Sequence, residues 1–278
     1  MMSRFLQGWI RCLLVFVLAV RCLDAQAAIA LVGPTVHQNR VGSGETFEGV
    51  IRIQNSDTNA ASVRVYVSDY RTGTNGTSLF AEPGSFPRSN GKWYALSADS
   101  VEIPAKGTRE VNYRGLVPQE GLPSGSYWSL VFVEEQAPIP PLVTNSTLKR
   151  PQAAIRTVVR FATIILNEVG TETDLSLKVM ERKLIATNSL RALSLLIENR
   201  GNRMTVPVPT LEVLNPQGET LRKVDLNPTR IFPGSSVRLN FDLAEVPDGK
   251  FTGIVMLDTG DPAQLLAVKC PILLGPQP

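Results

Sequence analysis

Leu122–Glu134 (LPSGSYWSLVFVE) and Val246–Asp258 (VPDGKFTGIVMLD) are two versions of one pattern, and their reading decides the fold. In each, Pro-x-Gly makes a tight turn, and an aromatic residue, Tyr127 or Phe251, then opens a strand whose alternate side chains enter a core. Tyr127 carries the hydroxyl that a tyrosine-corner-like bond needs, whereas Phe251 does not. Two other segments repeat in the same order: Ile51–Asn55 (IRIQN) with Leu195–Asn199 (LLIEN), and Ile103–Tyr113 (IPAKGTREVNY) with Ile231–Phe241 (IFPGSSVRLNF). Three matches in one order imply two copies of a single topology. The fold class is therefore all-β, two tandem immunoglobulin-like β-sandwiches.

Short alternating apolar segments divided by Gly, Pro, Asn, Asp and Ser fill the chain around these repeats, and no long stretch has a helical period. In the first half, strands are predicted at Phe47–Gln54, Ser62–Tyr70, Arg109–Leu116 and Tyr127–Glu134. Phe47, Ile51 and Ile53 form a buried face, with Arg52 outward, and Val63, Val65 and Val67 alternate with Arg64 and Tyr66 to give one apolar and one wet face. In the second half, strands are predicted at Asp174–Val179, Ala192–Glu198, Thr210–Leu214, Val237–Leu243 and Phe251–Leu257. Residues 137–152 (APIPPLVTNSTLKRPQ) read as a long exposed loop, and Ala154–Leu166 (AIRTVVRFATIIL) as a long strand that closes the first sandwich and leads into the second. On that strand Ile155, Val159, Phe161 and Ile165 share one face; Arg156, Val158, Arg160 and Ala162 share the other.

The N-terminus places Arg4 and Arg11 before an apolar run from Cys12 to Val20, followed by Ala25-Gln26-Ala27. This is the pattern of a cleaved secretory signal peptide, residues 1–27, and its apolar core of about ten residues is too short for a membrane-spanning helix. The expected domains are then 28–166, including loop 137–152, and 167–278. No integral membrane anchor is expected, and the protein is periplasmic or secreted. Removing three arginines and one aspartate lowers the formal charge of +3 to about +1, which leaves no basic footprint for nucleic acid. Cys12 and Cys22 leave with the signal, so Cys270 has no disulfide partner. It shares a strand face with Val268 and Ile272 and reads as a buried structural thiol.

The search for chemistry is negative. His37 is the single histidine and reads as a surface residue; no phosphate-binding, dinucleotide or nucleophile-elbow motif occurs. Asp258-Thr259-Gly260 matches the triplet of aspartic proteases, but a second triplet is missing, and it reads as the turn of a hairpin. Asn75-Gly76-Thr77 and Asn145-Ser146-Thr147 fit the N-glycosylation pattern. Trp93 and Tyr94 read either as part of a binding surface or as anchors of a loop on the core. Trp128, adjacent to an inward Tyr127, points to the opposite face and is a candidate contact residue. No enzyme activity, cofactor or metal is expected.

Gly42-Ser43-Gly44-Glu45 before a strand ending at Asn55, Trp93 to Ser97, the Pro104 to Gly107 turn, the proline-containing loop and the long strand together resemble the periplasmic pilus chaperones of the chaperone/usher pathway. The first half also resembles extracellular immunoglobulin-like proteins that bind peptidoglycan or surface proteins. The chaperone resemblance implies a partner that is a pilin-like or surface-fibre subunit, completed by edge pairing with Ala154–Leu166. It further implies a cleft arginine on the first strand and a lysine on the long strand that hold the subunit's terminal carboxylate. Here Thr35 or Val36 stands near the first position and Arg160 and Ala162 near the second, with Arg160 as the substitute and Arg40 farther along. The candidate partner-binding residues are Arg156, Val158, Arg160, Ala162 and Trp128. The alternative is a secreted interaction module that binds cell wall or a surface protein.

Overall fold

The computed structural model describes residues 29–73, 77–136, 158–187, 190–260 and 265–275. The expected signal peptide, the expected loop 137–152, Arg156, and Asn75 and Asn145 of the two glycosylation patterns lie outside them. Among the described residues there are seventeen strands and no helix long and apolar enough to cross a membrane.

The first sandwich is built from β1 (Ile29–Val32), β2 (Val36–Val41), β3 (Thr46–Asn55), β4 (Ala61–Thr72), β5 (Ser78–Ala81), β6 (Tyr94–Leu96), β7 (Ser100–Ile103), β8 (Thr108–Leu116), β9 (Gly125–Glu135) and β10 (Arg160–Val169). One sheet has the order β1-β3-β8-β6, the other β2-β10-β9-β4-β5, with β7 also on β4. β1 pairs antiparallel with β3, yet β2 runs parallel to β10 in the opposite sheet. The switch occurs at Gly33-Pro34, where Gly33 has φ of +120°, a conformation that a side chain would oppose. Ile51, Ile53, Val63, Val65, Val111, Val131, Val133 and Ile165 fill the space between the sheets.

The second sandwich contains β11 (Leu177–Ala186), β12 (Arg191–Asn199), β13 (Val208–Leu214), β14 (Thr220–Asp225), β15 (Ser236–Asp242), β16 (Gly249–Asp258) and β17 (Leu266–Leu274). Its sheets are β11-β12-β15 and β14-β13-β16-β17. Leu193, Leu195, Ile197, Leu211, Leu239, Phe241, Val255 and Cys270 pack between them. Burial pushes the Cys270 thiol pKa up, as suits a core residue.

The sequence repeat is a structural one. Asn55 and Asn199, which end corresponding strands, are both fully buried. Asn55 Nδ2 donates to the carbonyls of Asn59 (2.7 Å), Ile103 (3.2 Å) and Pro104 (3.2 Å), and its Oδ1 accepts from the Asp57 amide. Asn199 Nδ2 donates to Arg203 (2.7 Å) and Ile231 (2.9 Å), and its Oδ1 accepts from the Gly201 amide. Each amide thus ties the turn after its strand to the next repeated segment, Ile103 or Ile231.

The Tyr127 hydroxyl donates to the Pro123 carbonyl at 2.8 Å, the tyrosine-corner-like bond expected of it. Tyr127→Phe should lower stability by about 1 kcal/mol, the net worth of one such bond, without altering the ring's packing. Urea unfolding of the variant checks this; an unchanged midpoint would assign the hydroxyl no part in the corner.

Four expectations need correction. The long strand expected over Ala154–Leu166 runs from Arg160 to Val169 among the described residues, with Val158 and Val159 ahead of it and 154–157 outside the described residues. The strand expected at Asp174–Val179 instead spans Leu177–Ala186, because the Asp174 amide is taken by Asn202 Oδ1 at 2.8 Å. His37 is half-buried rather than on the surface: it alternates with Val36 on β2, turns toward the core, and its Nδ1 lies 3.3 Å from the Tyr113 hydroxyl. Burial lowers its pKa. The β4 face expected to be wet is aromatic and partly covered, Tyr66 by Phe132 and Tyr70 by Phe232.

Candidate functional site

β9 reads YWSLVFV without polar alternation, and Tyr127 to Val133 are buried on both faces. Tyr127, Val131 and Val133 enter the first core, whereas Trp128, Leu130 and Phe132 face the other way. There they join Ile164 and Leu166 of β10 and Phe232, which comes from the second sandwich. Tyr66 and Tyr70 of β4, Val36 of β2 and Met204 pack at the margin. Trp128 stacks on Phe232 with ring centroids 4.5 Å apart, and its indole N–H donates to the Tyr70 carbonyl at 2.6 Å. Trp128 is therefore 4% exposed and serves as a wedge between the sandwiches, not an exposed contact residue. Its face was inferred correctly; the second sandwich covers it.

A polar joint flanks this wedge. Arg203 Nη1 and Glu168 Oε2 are 2.5 Å apart, with side chains only 15% and 6% exposed. The Ser126 hydroxyl donates to Glu168 Oε1 at 2.6 Å and accepts from the Met204 amide at 2.7 Å. Asn202 accepts from the Ser126 amide through its carbonyl and donates through Nδ2 to the Ser124 carbonyl. Gly125, with φ of +138°, is required here, because a Cβ would come within 2.2 Å of the Asn202 oxygen. These bonds fix the first sandwich against the second without a disulfide.

Beyond the joint, the aromatic face runs out toward the distal end of the first sandwich. Tyr66 and Phe132 lie 5.4 Å apart, and Phe80 of β5, 47% exposed, packs edge-on against Phe132. The Arg160 guanidinium sits 4.9 Å from the Phe132 ring centroid and donates to the Tyr66 hydroxyl at 3.3 Å. That hydroxyl in turn donates to Glu134 Oε2 at 3.0 Å. The Arg64 guanidinium lies over the Tyr66 ring, 4.7 Å from its centroid.

The edge of β10 changes character along its length. From Ile164 to Val169 it is paired with β2. The Ile164 amide donates to the Thr35 carbonyl, so Ile164 directs its backbone away from β9. By the two-residue period of a strand, Ala162 and Arg160 direct their N–H and C=O groups the same way. β2 does not reach them, and among the described residues no other strand pairs with that edge. Phe161 and Thr163 direct their groups inward to Val133 and Val131 of β9. The result is a short open edge beside an aromatic shelf with two guanidiniums.

The structure therefore brings Arg160 and Ala162 together on this edge and shelf. Val158, 45% exposed, precedes the strand, and Arg156 lies outside the described residues. Arg160 stands at the far end of the shelf and not between the sandwiches. The cleft between the sandwiches is instead lined by Arg40 and Gln38 of β2 with Glu168, Thr171 and Arg203, and has a volume of about 560 Å³. Arg40 faces Glu168 across the β2–β10 register. Phe80, Phe132 and Phe232 were not singled out from the sequence, and Tyr66 was placed only on a wet face. The apolar run Leu130–Val133 of β9 was the available signal, since consecutive apolar residues on a strand call for cover on both faces.

The remaining candidates are structural. Trp93 packs on Tyr127 at 4.8 Å and Tyr94 is buried, its hydroxyl 2.8 Å from Ser129 Oγ, so both anchor their loop to the core. Burial raises the Tyr94 pKa beyond the ordinary phenol range. Asp258 Oδ1 accepts from the Gly260 amide at 2.8 Å, as a turn-forming aspartate does. Among the described residues no group of three or more His, Cys, Asp and Glu could hold a metal.

No family model matches the chain, and no curated protein matches it. Among solved structures it is similar to a chain of the chaperone–tip adhesin complex of CFA/I fimbriae, at 15% identity over 87% of this chain and 98% of that one, with a TM-score of 0.46. It is similar to the class 5 fimbriae chaperone CfaA, at 15% identity over 90% and 100%, with a TM-score of 0.45. The Pseudomonas aeruginosa CupB2 chaperone gives 13% identity over 88% and 100%, with a TM-score of 0.37.

Proposed function

We propose that this protein is a periplasmic, chaperone-like factor that binds and stabilises pilus or other surface-fibre subunits by β-strand pairing. The observation that carries the reading is the open edge at Arg160 and Ala162, continuous with an edge that β2 already occupies from Ile164 onward. An unpaired edge next to exposed aromatic surface is a template for another chain, and folded proteins ordinarily cover it. The main-chain bonds would supply affinity, and the Phe132, Tyr66 and Phe80 shelf would receive alternate side chains of the added strand. The sequence resemblance to the pilus chaperones supplies the class of partner. Arg160 acts in this reading at the rim of the shelf, and Arg40 is the cation placed to meet a partner group in the cleft.

The test uses a backbone change. Ala162→Pro removes the one N–H that points outward from the middle of the open edge and leaves the inward bonds to β9 in place. Affinity purification of the mature protein from its native envelope should recover a pilin-like subunit with wild type. About tenfold less should come with Ala162→Pro, the effect of some 1.4 kcal/mol. Val158→Asp and Arg160→Ala should weaken recovery less. Recovery of cell-wall material or a surface protein, equal with Ala162→Pro and wild type, would replace this reading by that of an interaction module.

A further inference from the structure

On the flank of the domain joint lies a separate cavity of about 230 Å³, between the end of β4, the 86–88 loop and the 233–235 turn of the second sandwich. Two guanidiniums, those of Arg71 and Arg88, line it together with Trp128, Gly201, Gly234 and Ser235. Neither arginine has a carboxylate partner among the described residues. Each is instead held by an aromatic face: Arg71 lies 4.8 Å from the Phe86 centroid and Arg88 5.4 Å from that of Tyr127. Stacking fixes a guanidinium while leaving its in-plane N–H donors available. Arg71 donates no side-chain hydrogen bond among the described residues, and Arg88 makes only a long one, 3.5 Å, to the Ser126 carbonyl.

Other groups point to the same chemistry. The Ser235 hydroxyl is buried without a partner, an arrangement that costs free energy unless something completes it. Gly201 and Gly234 also line the cavity, with backbone and no side chain. The acid two residues before Arg71 on β4, Asp69, is already engaged by the Ser89 hydroxyl and the Phe86 amide. No carboxylate lines the cavity.

We infer that this cavity is an oxyanion site of the phosphate class, in which Arg71 and Arg88 from the first sandwich clasp the anion against the Ser235 turn of the second. Guanidinium forks match the tetrahedral oxygens of phosphate, and charge-assisted bonds of this kind are the strong ones. Because the ligand touches both sandwiches, its binding also stiffens the joint. The site is distinct from the β10 edge and from the cleft at Arg40.

Phosphorus NMR of inorganic phosphate with the full mature protein, at constant ionic strength in chloride, tests this. Wild type should bind with a dissociation constant on the order of 1 mM or tighter, and Arg71→Gln and Arg88→Gln should each weaken it about tenfold. Arg64→Gln, which removes an equal charge from the aromatic shelf, should leave it unchanged. Glycerol phosphate as a second probe separates the sources: tighter binding of the ester assigns a phosphate carried on a larger molecule, and equal binding assigns the free ion. Absence of phosphate binding, or equal loss with Arg64→Gln and Arg71→Gln, would overturn the site.

Discussion

Arg203→Met should lower the unfolding free energy by about 3–5 kcal/mol, the usual consequence of stranding one member of a buried ion pair. The variant leaves Glu168, only 6% exposed at its side chain, with the Ser126 hydroxyl as its remaining donor. It also removes the Arg203 bond to the Gly170 carbonyl at the point where β10 leaves the first sandwich. Most of the loss is the penalty of an uncompensated carboxylate, so adding Glu168→Gln to Arg203→Met should restore a large part of it. Urea unfolding followed by tryptophan emission reports on the same region, because Trp128 stacks on Phe232 across the joint. A double variant as unstable as the single one would mean that Arg203 acts through packing alone.

Asn55→Ala and Asn199→Ala should each cost roughly 2–4 kcal/mol, because each leaves several buried backbone groups without partners. Asn55 serves three carbonyls and one amide; Asn199 serves two carbonyls and one amide. Asn→Asp at either position should be about as damaging, since a carboxylate keeps the acceptor but not the donors. Thermal unfolding of the four variants checks this. A mild effect at Asn199 beside a large one at Asn55 would show that the second copy of the turn closes without its amide.

These two asparagines also show why so much of the architecture was legible. A residue that ends a strand and pins the next repeated segment cannot be exchanged freely, so Asn55 and Asn199 mark the repeat in the sequence and the same corner in each sandwich. The alternation of Phe47, Ile51 and Ile53 against Arg52 was equally readable, because one face meets a core and Arg52 meets Glu110 at 2.8 Å. Short strands such as β5, β6 and β7 were missed. They hold three or four residues each and take their pairing from neighbours instead of from any period of their own.

The site was legible in one direction only. Arg160 and Ala162 could be placed on one face from spacing, and the structure puts them on an edge that no strand among the described residues covers. Trp128 was placed on the correct face but in the wrong environment, because Phe232, a hundred residues away along the chain, covers it. Spacing within a strand reports which side a residue takes; it does not report what another domain lays over that side. The same reason hid the pairing of Glu168 with Arg203 and the aromatic character of the β4 face.

Residue-resolved amide hydrogen exchange of the protein, free and bound to its envelope partner, tests edge pairing most directly. The amides of Arg160 and Ala162 should exchange rapidly in the free protein and become protected in the complex, whereas those of Phe161 and Thr163, already turned to β9, should change little. Protection confined to other surfaces, with Arg160 and Ala162 exchanging as fast as before, would contradict strand pairing at β10.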